Sequence, residues 1–146
     1  MGVGVEPMSQ SAYISLVQGS TVSEIDLAGV QEQLQHYKEQ MRLTGHQLGW
    51  DYAESAFPYS IERKPEAEGR WFYLKGTSPQ YRYIVVGTGQ RSSDEQSVPY
   101  IHFVLPDDST HGDKSKANEL CKWIGKQLQA EVRMFNGRTI YYNPRK

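Results

Sequence analysis

The chain of 146 residues is long enough to form one domain with its own core and too short for two. Its composition, 38% apolar and 23% charged with a net charge of −1, excludes a disordered, collagen-like or coiled-coil protein. The single cysteine, Cys121, excludes an internal disulfide framework and a zinc ribbon. No apolar run reaches the roughly 18 residues of a membrane-spanning helix, and the first residues lack the pattern of a secretion signal. We therefore expect a cytoplasmic protein that does not act at a membrane.

The N-terminal segment predicts a loose end followed by a strand. Residues 1–9 show no periodicity, which favours a disordered extension before a single domain over 10–146, with Met8 as a candidate natural start. Residues 11–18 alternate with a period of two, which is typical of a strand. Residues 21–25 are expected to form a short second strand.

The clearest helix is predicted over residues 27–44. Its apolar side chains recur at spacings of three and four, so that one stripe faces a core. Asp26 is the expected N-cap, because its carboxylate can accept an unpaired backbone N–H. Gly45 is the expected C-terminal stop.

The middle of the chain predicts a sheet. Residues 57–64, 70–75, 81–87 and 98–105 have the pattern of strands, and residues 88–97 that of a polar loop. Short connections favour antiparallel neighbours. Apolar side chains on both faces of residues 98–105 indicate a central strand.

A second helix is predicted over residues 114–129, with Asp113 as its N-cap. Its buried stripe comprises Ala117, Leu120, Cys121, Ile124 and Leu128; Lys116, Lys122 and Lys126 are placed on the far side and Trp123 on the border. The dipeptide Asn136-Gly137 then predicts a β-hairpin with a type I′ turn. These elements together predict an α+β fold, in which two amphipathic helices pack on a mainly antiparallel sheet of five to seven strands that includes a C-terminal hairpin.

Three segments carry a resemblance to a known family: MSQSAYISL, GHQLGWDYAESAFPYSIE, and GDKSKANELCKWIGKQL with FNGRTIYYNPRK after it. They resemble a small family of uncharacterised proteins from spore-forming Gram-positive bacteria, catalogued as a domain of unknown function. The resemblance extends over residues 8–146. It implies a bacterial cytosolic protein and brings no activity, cofactor or catalytic residue with it.

The candidate catalytic and metal-binding groups favour structural roles. Cys121 could meet His102 as a nucleophile and base, but a packed thiol and a hydrogen-bonded core histidine are the stronger interpretation. A cation loop would need Asp107, Asp108, His111 and Asp113, yet their spacing fails the calcium-loop pattern. The phosphate-loop and hydrolase signatures fail as well. We predict no catalytic residue, metal or cofactor.

The density of aromatic residues in the middle of the chain supports our main hypothesis. Eleven of the seventeen aromatic residues lie between Trp50 and Phe103. Such rings suit recognition, because they bury a large area at a small cost in conformational entropy. We expect a non-catalytic binding domain for a protein, a peptide or a small apolar ligand. The candidate contacts are Trp50, Tyr52, Phe57, Tyr59, Trp71 and Tyr83.

Two alternatives stay open. Residues 113–146 hold eight basic and three acidic side chains, which could favour an anionic partner. RNA or another anion would then bind the second helix through Lys116, Lys122, Trp123 and Lys126. The other alternative is an isomerase-like enzyme that turns over a peptide in an aromatic cleft without a polar catalytic triad.

Overall fold

The architecture is taken from a computed structural model that describes residues 10–48, 57–62, 71–93, 96–107 and 109–143. This part of the chain contains two helices and seven strands. In chain order they are β1 (Gln10–Ser15), α1 (Leu27–Leu48), β2 (Tyr59–Glu62), β3 (Trp71–Gly76), β4 (Tyr83–Ser93), β5 (Gln96–Leu105), α2 (His111–Leu128), β6 (Glu131–Arg133) and β7 (Thr139–Tyr141). The predicted extension over residues 1–9 lies outside the described residues, as do residues 49–56.

The strands form one antiparallel sheet in the order β2-β3-β4-β5-β1-β6-β7. β5 is the middle strand, as its two apolar faces predict. β1 lies between β5 and β6, with Ile14 opposite Ile101 on one side and Val132 on the other. The α+β class, the antiparallel sheet and the C-terminal hairpin are thereby confirmed.

Both helices contribute to a single core on one face of the sheet. Because side chains alternate between the faces of a strand, every second residue points toward the helices. These include Ile14, Phe72, Ile84, Ile101 and Phe103, and each has no accessible surface. The predicted stripes of α1 and α2 complete the core from the other side.

The first helix is longer than predicted. Its N-cap is confirmed, since Asp26 Oδ1 accepts a hydrogen bond from the Gly29 backbone N–H at 2.8 Å. Its end is not, because α1 continues past Gly45 to Leu48. One glycine costs a helix only about 1 kcal/mol, and the good helix formers Gln47 and Leu48 follow it.

The second helix begins earlier than predicted, at His111. Its N-cap is Thr110, whose hydroxyl accepts from the Asp113 backbone N–H at 3.0 Å, while the Asp113 carboxylate accepts from the Thr110 N–H at 3.1 Å. This reciprocal pair is a capping box, so Asp113 is the third helical residue and not the cap itself.

The structure contradicts three other predictions from the sequence. Residues 21–25 form no strand. Residues 88–97 belong mostly to β4 and β5, which stay paired as far as Ser93 and Gln96. Beyond β6 and β7, Met134 and Arg138 still pair, so that the hairpin closes with a three-residue loop over residues 135–137. Gly137 has a φ of +88°, but Asn136 does not adopt a positive φ, so the turn is not of type I′.

Neither helix of the described residues has the length and apolar content required to cross a membrane.

Candidate binding site on the open sheet face

The side of the sheet away from the two helices, here called the open face, is not covered by any helix that the structure describes. Its side chains are half-buried and largely aromatic or branched aliphatic. They include Tyr13, Trp71, Tyr73, Tyr83, Val85, Tyr100, His102 and Val104. A contiguous surface of this composition is typical of binding sites.

One row of residues across the open face has a gap in it. Trp71 of β3 lies opposite Gly87 of β4, Gly87 opposite His102 of β5, and His102 opposite Tyr13 of β1. Since Gly87 has no side chain, nothing in the row fills the space between the indole and the imidazole. Neighbouring strands are about 4.8 Å apart, so the backbones carrying Trp71 and His102 are separated by about 10 Å.

A first aromatic group borders this gap on the β3 side. The Trp71 and Tyr73 ring centroids are 4.9 Å apart, and those of Tyr73 and Tyr83 are 6.4 Å apart in an edge-to-face arrangement. The three rings support one another and form a continuous wall.

A second aromatic group borders the gap on the β5 side. The His102 ring stacks on Tyr13 with centroids 4.4 Å apart and planes within 8°, and Tyr100 meets Tyr13 edge-on at 5.4 Å. Tyr100 can adopt this position because its cross-strand partner is Gly89, where an added Cβ would lie 2.6 Å from Tyr100 Oη. The glycine therefore sets the position of the tyrosine ring.

Between Trp71 of the first group and Tyr100 and His102 of the second lies an open cavity of about 330 Å³, which we call the aromatic slot. It is lined by Trp71, Val85, Gly87, Thr88, Tyr100, His102 and Val104. A ring placed above Gly87 would have neighbouring rings on both sides. Their centroids would lie roughly 4.5–7 Å away, the distance typical of aromatic pairs. The slot therefore has the size and walls for one planar group.

His102 lines the slot with its ring. Its Nε2 is buried and has no hydrogen-bond partner among the residues that the structure describes. Loss of hydration lowers the pKa of the imidazole below its ordinary value of 6.5. The ring is therefore neutral near pH 7, and Nε2 can donate or accept a hydrogen bond according to its tautomer.

The structure divides the six predicted contact residues into three pairs. Trp71 and Tyr83 lie on the open face, within the first aromatic group. Phe57 and Tyr59 lie in the core on the helix side, each only 4% exposed, so they do not form part of this surface. Trp50 and Tyr52 lie outside the described residues.

The second wall consists of Tyr13, Tyr100 and His102, none of which is among the six predicted contact residues. The sequence predicts that His102 is a hydrogen-bonded core histidine. This prediction is wrong, because its Nε2 has no partner in the described part of the chain and its ring lies on the open face. The alternation of residues 100, 102 and 104 placed them on one face, but only the pairing of β5 with β1 brings Tyr13 to them.

The four residues of the RNA or anion alternative do not share one surface. Lys116 is 8% exposed, and its Nζ donates to Tyr37 Oη at 3.1 Å and to Glu119 Oε1 at 3.2 Å. The expectation that it faces water is wrong, because α1 covers that side of α2. Trp123 is half-buried with its ring edge-on to Tyr37 at 5.6 Å. Only Lys122 and Lys126 are exposed.

Neither of the other two candidate sites, the catalytic pair and the cation loop, forms among the residues that the structure describes. Cys121 is fully buried on the helix side, and His102 lies on the opposite face, so they do not form a catalytic pair. Burial also raises the pKa of the Cys121 thiol, which opposes thiolate formation. Asp113 is fully buried in its capping box and accepts from Tyr59 Oη at 2.6 Å. Asp108 lies outside the described residues.

Comparison with known proteins places the chain in a family. The profile of the domain of unknown function DUF1885 matches residues 10–144. The chain belongs to this family. DUF1885 also accounts for the resemblance detected in the sequence, since the matched range spans nearly the same residues.

A solved structure shares the fold of this DUF1885 protein. It is the crystal structure of a protein of unknown function from Bacillus stearothermophilus, with 32% sequence identity and a TM-score of 0.54. The alignment covers 97% of this chain and 98% of that chain. No curated protein matches the chain significantly. Neither the DUF1885 family nor the similar solved structure supplies an activity, so the function has to be argued from the geometry of the site.

Proposed function

We propose that this protein is a small, non-catalytic binding domain whose aromatic slot holds a planar ring. The observation that carries the proposal is the row Trp71–Gly87–His102–Tyr13, in which two aromatic walls stand on either side of a residue without a side chain. The ring belongs to a small aromatic molecule or to an aromatic side chain of a peptide or protein.

The shape of the slot favours a flat group over a branched aliphatic one. Rings on both sides offer stacking or edge contacts, which contribute about 0.5–1.5 kcal/mol per aromatic pair beyond the burial of area. Val85 and Val104 add an apolar surface beside Gly87. A cavity of about 330 Å³ is at the small end of ligand sites and accommodates one ring system.

The unpaired Nε2 of His102 favours a ring with a hydrogen-bonding group. Rotation of the His102 ring toward the slot on binding would let Nε2 accept from a phenol O–H or an indole N–H, which would remove the cost of leaving a buried polar atom unpaired. We therefore expect phenol-like and indole-like rings to bind more tightly than benzene-like rings of the same size.

Titration of the ¹⁵N-labelled protein followed by NMR tests the proposal. One arm uses p-cresol and indole, and the other uses N-acetyl-tyrosine amide and a short tyrosine-containing peptide. Saturable shifts are expected for the amides of Gly87 and His102 and for the indole N–H of Trp71. Tighter binding in the peptide arm would identify a peptide or protein as the source of the ring.

The sharpest variant is Gly87→Val. Its added side chain occupies the gap without removing a wall, and valine suits a strand because Gly87 has no positive φ. We expect binding to fall at least about tenfold, the effect of losing one or two aromatic contacts. Trp71→Ala should have a similar effect by removing one wall.

The matched control is Tyr141→Ala, which removes an exposed tyrosine from β7, three strands away from β5 on the same face. Binding should be unchanged in this variant. Absence of saturable binding in both arms, or equal losses in Gly87→Val and Tyr141→Ala, would contradict the proposal.

The same slot allows a direct test of the isomerase alternative. The protein at high concentration is added to a peptide with a Xaa-Pro bond, and its cis–trans exchange is measured. Uncatalysed exchange takes tens of seconds, so acceleration is easily observed. An acceleration abolished by Gly87→Val would replace the binding proposal with a catalytic one.

We also infer a cytosolic location in a spore-forming Gram-positive bacterium. The supporting observations are the single, buried and free Cys121, which suits a reducing compartment, and the solved relative from Bacillus stearothermophilus. Cell fractionation with an antibody against the protein tests the location, and recovery in the secreted or membrane fraction would contradict it.

A further inference from the structure

We infer a second, separate binding site for a phosphate monoester in the groove between α2 and the β6–β7 hairpin. The groove has a volume of about 580 Å³. It is lined by Ser115, Asn118, Lys122, Met134, Asn136, Arg138, Thr139 and Ile140. It lies on the helix side of the sheet, so its occupation does not depend on the aromatic slot.

One wall of this phosphate groove is a polar face of α2. Ser115, Asn118 and Lys122 follow one another at spacings of three and four residues, which places them on the same side of the helix. The hydroxyl and ammonium groups provide hydrogen-bond donors, and the Asn118 amide, which donates one N–H to the Lys114 carbonyl at 3.0 Å, has a second N–H. Such a row can contact several oxygen atoms of one anion.

The other wall is the hairpin turn, which fixes the position of Arg138. The Met134 N–H donates to the Arg138 carbonyl at 2.7 Å, and the Gly137 N–H donates to the Met134 carbonyl at 2.9 Å. The Asn136 side chain accepts from the Arg138 N–H at 3.0 Å. The backbone that carries the guanidinium is thus held by three hydrogen bonds.

The charge of the groove is one-sided. Its two charged lining residues, Lys122 and Arg138, are both positive. Within the part of the chain that the structure describes, neither forms an ion pair, whereas Lys116 on the same helix is paired with Glu119. Two free cations on facing walls suit a phosphate, which accepts charge-assisted hydrogen bonds from both.

Two apolar residues determine the rest of the ligand. Met134 is 5% exposed and Ile140 is half-buried, and both contribute apolar surface to the groove. An organic group attached to the phosphate can rest on them, so a phosphate monoester fits better than inorganic phosphate.

RNA is the less suitable anion for this surface. A nucleic-acid strand needs a track of cations and rings on which its bases can stack. Lys116 is buried and paired, and the Trp123 ring packs against Tyr37, so neither is available to a strand.

Titration of the ¹⁵N-labelled protein with butyl phosphate tests this inference, with inorganic phosphate, acetate and a single-stranded oligoribonucleotide as parallel arms at constant ionic strength. We expect saturable shifts confined to amides of residues 115–122 and 134–140, and weaker binding of phosphate and acetate. Lys122→Ala and Arg138→Ala should each lower the affinity about tenfold, the effect of one charge-assisted hydrogen bond.

Lys126→Ala is the matched control, because it removes an equally exposed lysine of α2 that does not line the groove. Its affinity should stay within about twofold of the original, a difference of about 0.4 kcal/mol. All three substitutions change exposed side chains, and unchanged thermal unfolding will show that the variants fold. Absence of saturable butyl phosphate binding would overturn the inference. So would an equal loss in Lys126→Ala, or tighter RNA binding that depends on Lys126.

Discussion

The two faces of the sheet carry similar residues, but these residues have different roles. On the helix side, Phe72, Phe103 and Ile101 are completely buried beneath α1 and α2. On the open face, Trp71, Tyr100 and His102 are only half-buried and line a cavity. Because residues adjacent in a strand point to opposite faces, Trp71 and Phe72 belong to different environments. The core holds the sheet in shape, and the sheet in turn sets the spacing of the aromatic walls.

The tyrosines show the same division. Tyr59 is buried, and its hydroxyl donates to the buried carboxylate of Asp113, with the pKa of Tyr59 raised by burial and by this hydrogen bond. Tyr83 contacts Tyr73 at the open surface. Tyrosine content alone therefore does not define a recognition surface, since burial decides what each ring can contact.

The largest effect should come from truncating the covered face. Phe103→Ala is expected to lower the free energy of unfolding by about 3–5 kcal/mol, because it leaves a cavity in a fully buried site. Tyr83→Ala on the open face should cost only about 1 kcal/mol. Urea denaturation of both variants gives the comparison. Equal losses would mean that the open face is part of a second core and not a free surface.

A smaller effect is expected at the contact between α2 and the sheet. Asp113 accepts from Tyr59 Oη at 2.6 Å, from the Arg82 N–H at 3.0 Å and from the Thr110 N–H at 3.1 Å. Asp113→Ala leaves these donors without their acceptor and should cost about 2–3 kcal/mol. The free energy of unfolding from urea denaturation measures it.

The control for this prediction is Asp107→Ala. Asp107 is an exposed acid close to the same helix end, so its removal should change stability by no more than about 0.5 kcal/mol. A comparable loss in the two variants would indicate a general charge effect and would contradict the role assigned to the Asp113 hydrogen bonds.

The smallest expected effect is the pH dependence of stability that His102 on the open face contributes. Because burial lowers the pKa of folded His102 below 6.5, the unfolded chain binds the proton more readily. This residue's contribution to stability is therefore complete above pH 6.5 and is lost as the pH falls through the folded pKa. The groups that face His102 are the rings of Tyr13 and Tyr100, and Arg133 of β6 lies opposite Tyr13.

The variant His102→Gln tests that dependence, because it keeps a polar side chain and removes the titration. The midpoint temperature of thermal unfolding, measured from about pH 7.5 down to about pH 5 so that the range includes the ordinary histidine pKa of about 6.5, should fall less steeply with pH in the variant. Identical slopes in the two proteins would show that His102 does not contribute.

Much of the fold could be predicted because local patterns determined it. The stripes of α1 and α2, the Asp26 cap and the hairpin at Asn136-Gly137 all depend on residues close in sequence. The capping box of α2 could also have been predicted from the sequence, since Thr110 and Asp113 have its spacing. The extension of β4 and β5 was not, because the polar residues 88–97 are held as strands by backbone pairing, which requires no apolar pattern.

The site was only half predictable, for a reason of geometry. Alternation divides a strand into two faces but does not say which face the helices cover, so Tyr59 and Trp71 could not be told apart. The apolar stripe of a helix likewise predicts contact with one layer of the fold. Lys116 lies outside the stripe of α2 and is buried by α1, which packs on another side of α2. The second aromatic wall needs β1 beside β5, a pairing between distant parts of the chain.

That position of β1 has a consequence for how the molecule assembles. Among the described elements β1 is synthesised first, whereas its partners β5 and β6 follow only after α1 and at least three other strands. Its backbone groups must stay without their final partners until those strands are made, and closure of so long a loop is slow. We expect insertion of this strand to limit the rate of folding and to join distant segments of the chain in one cooperative unit.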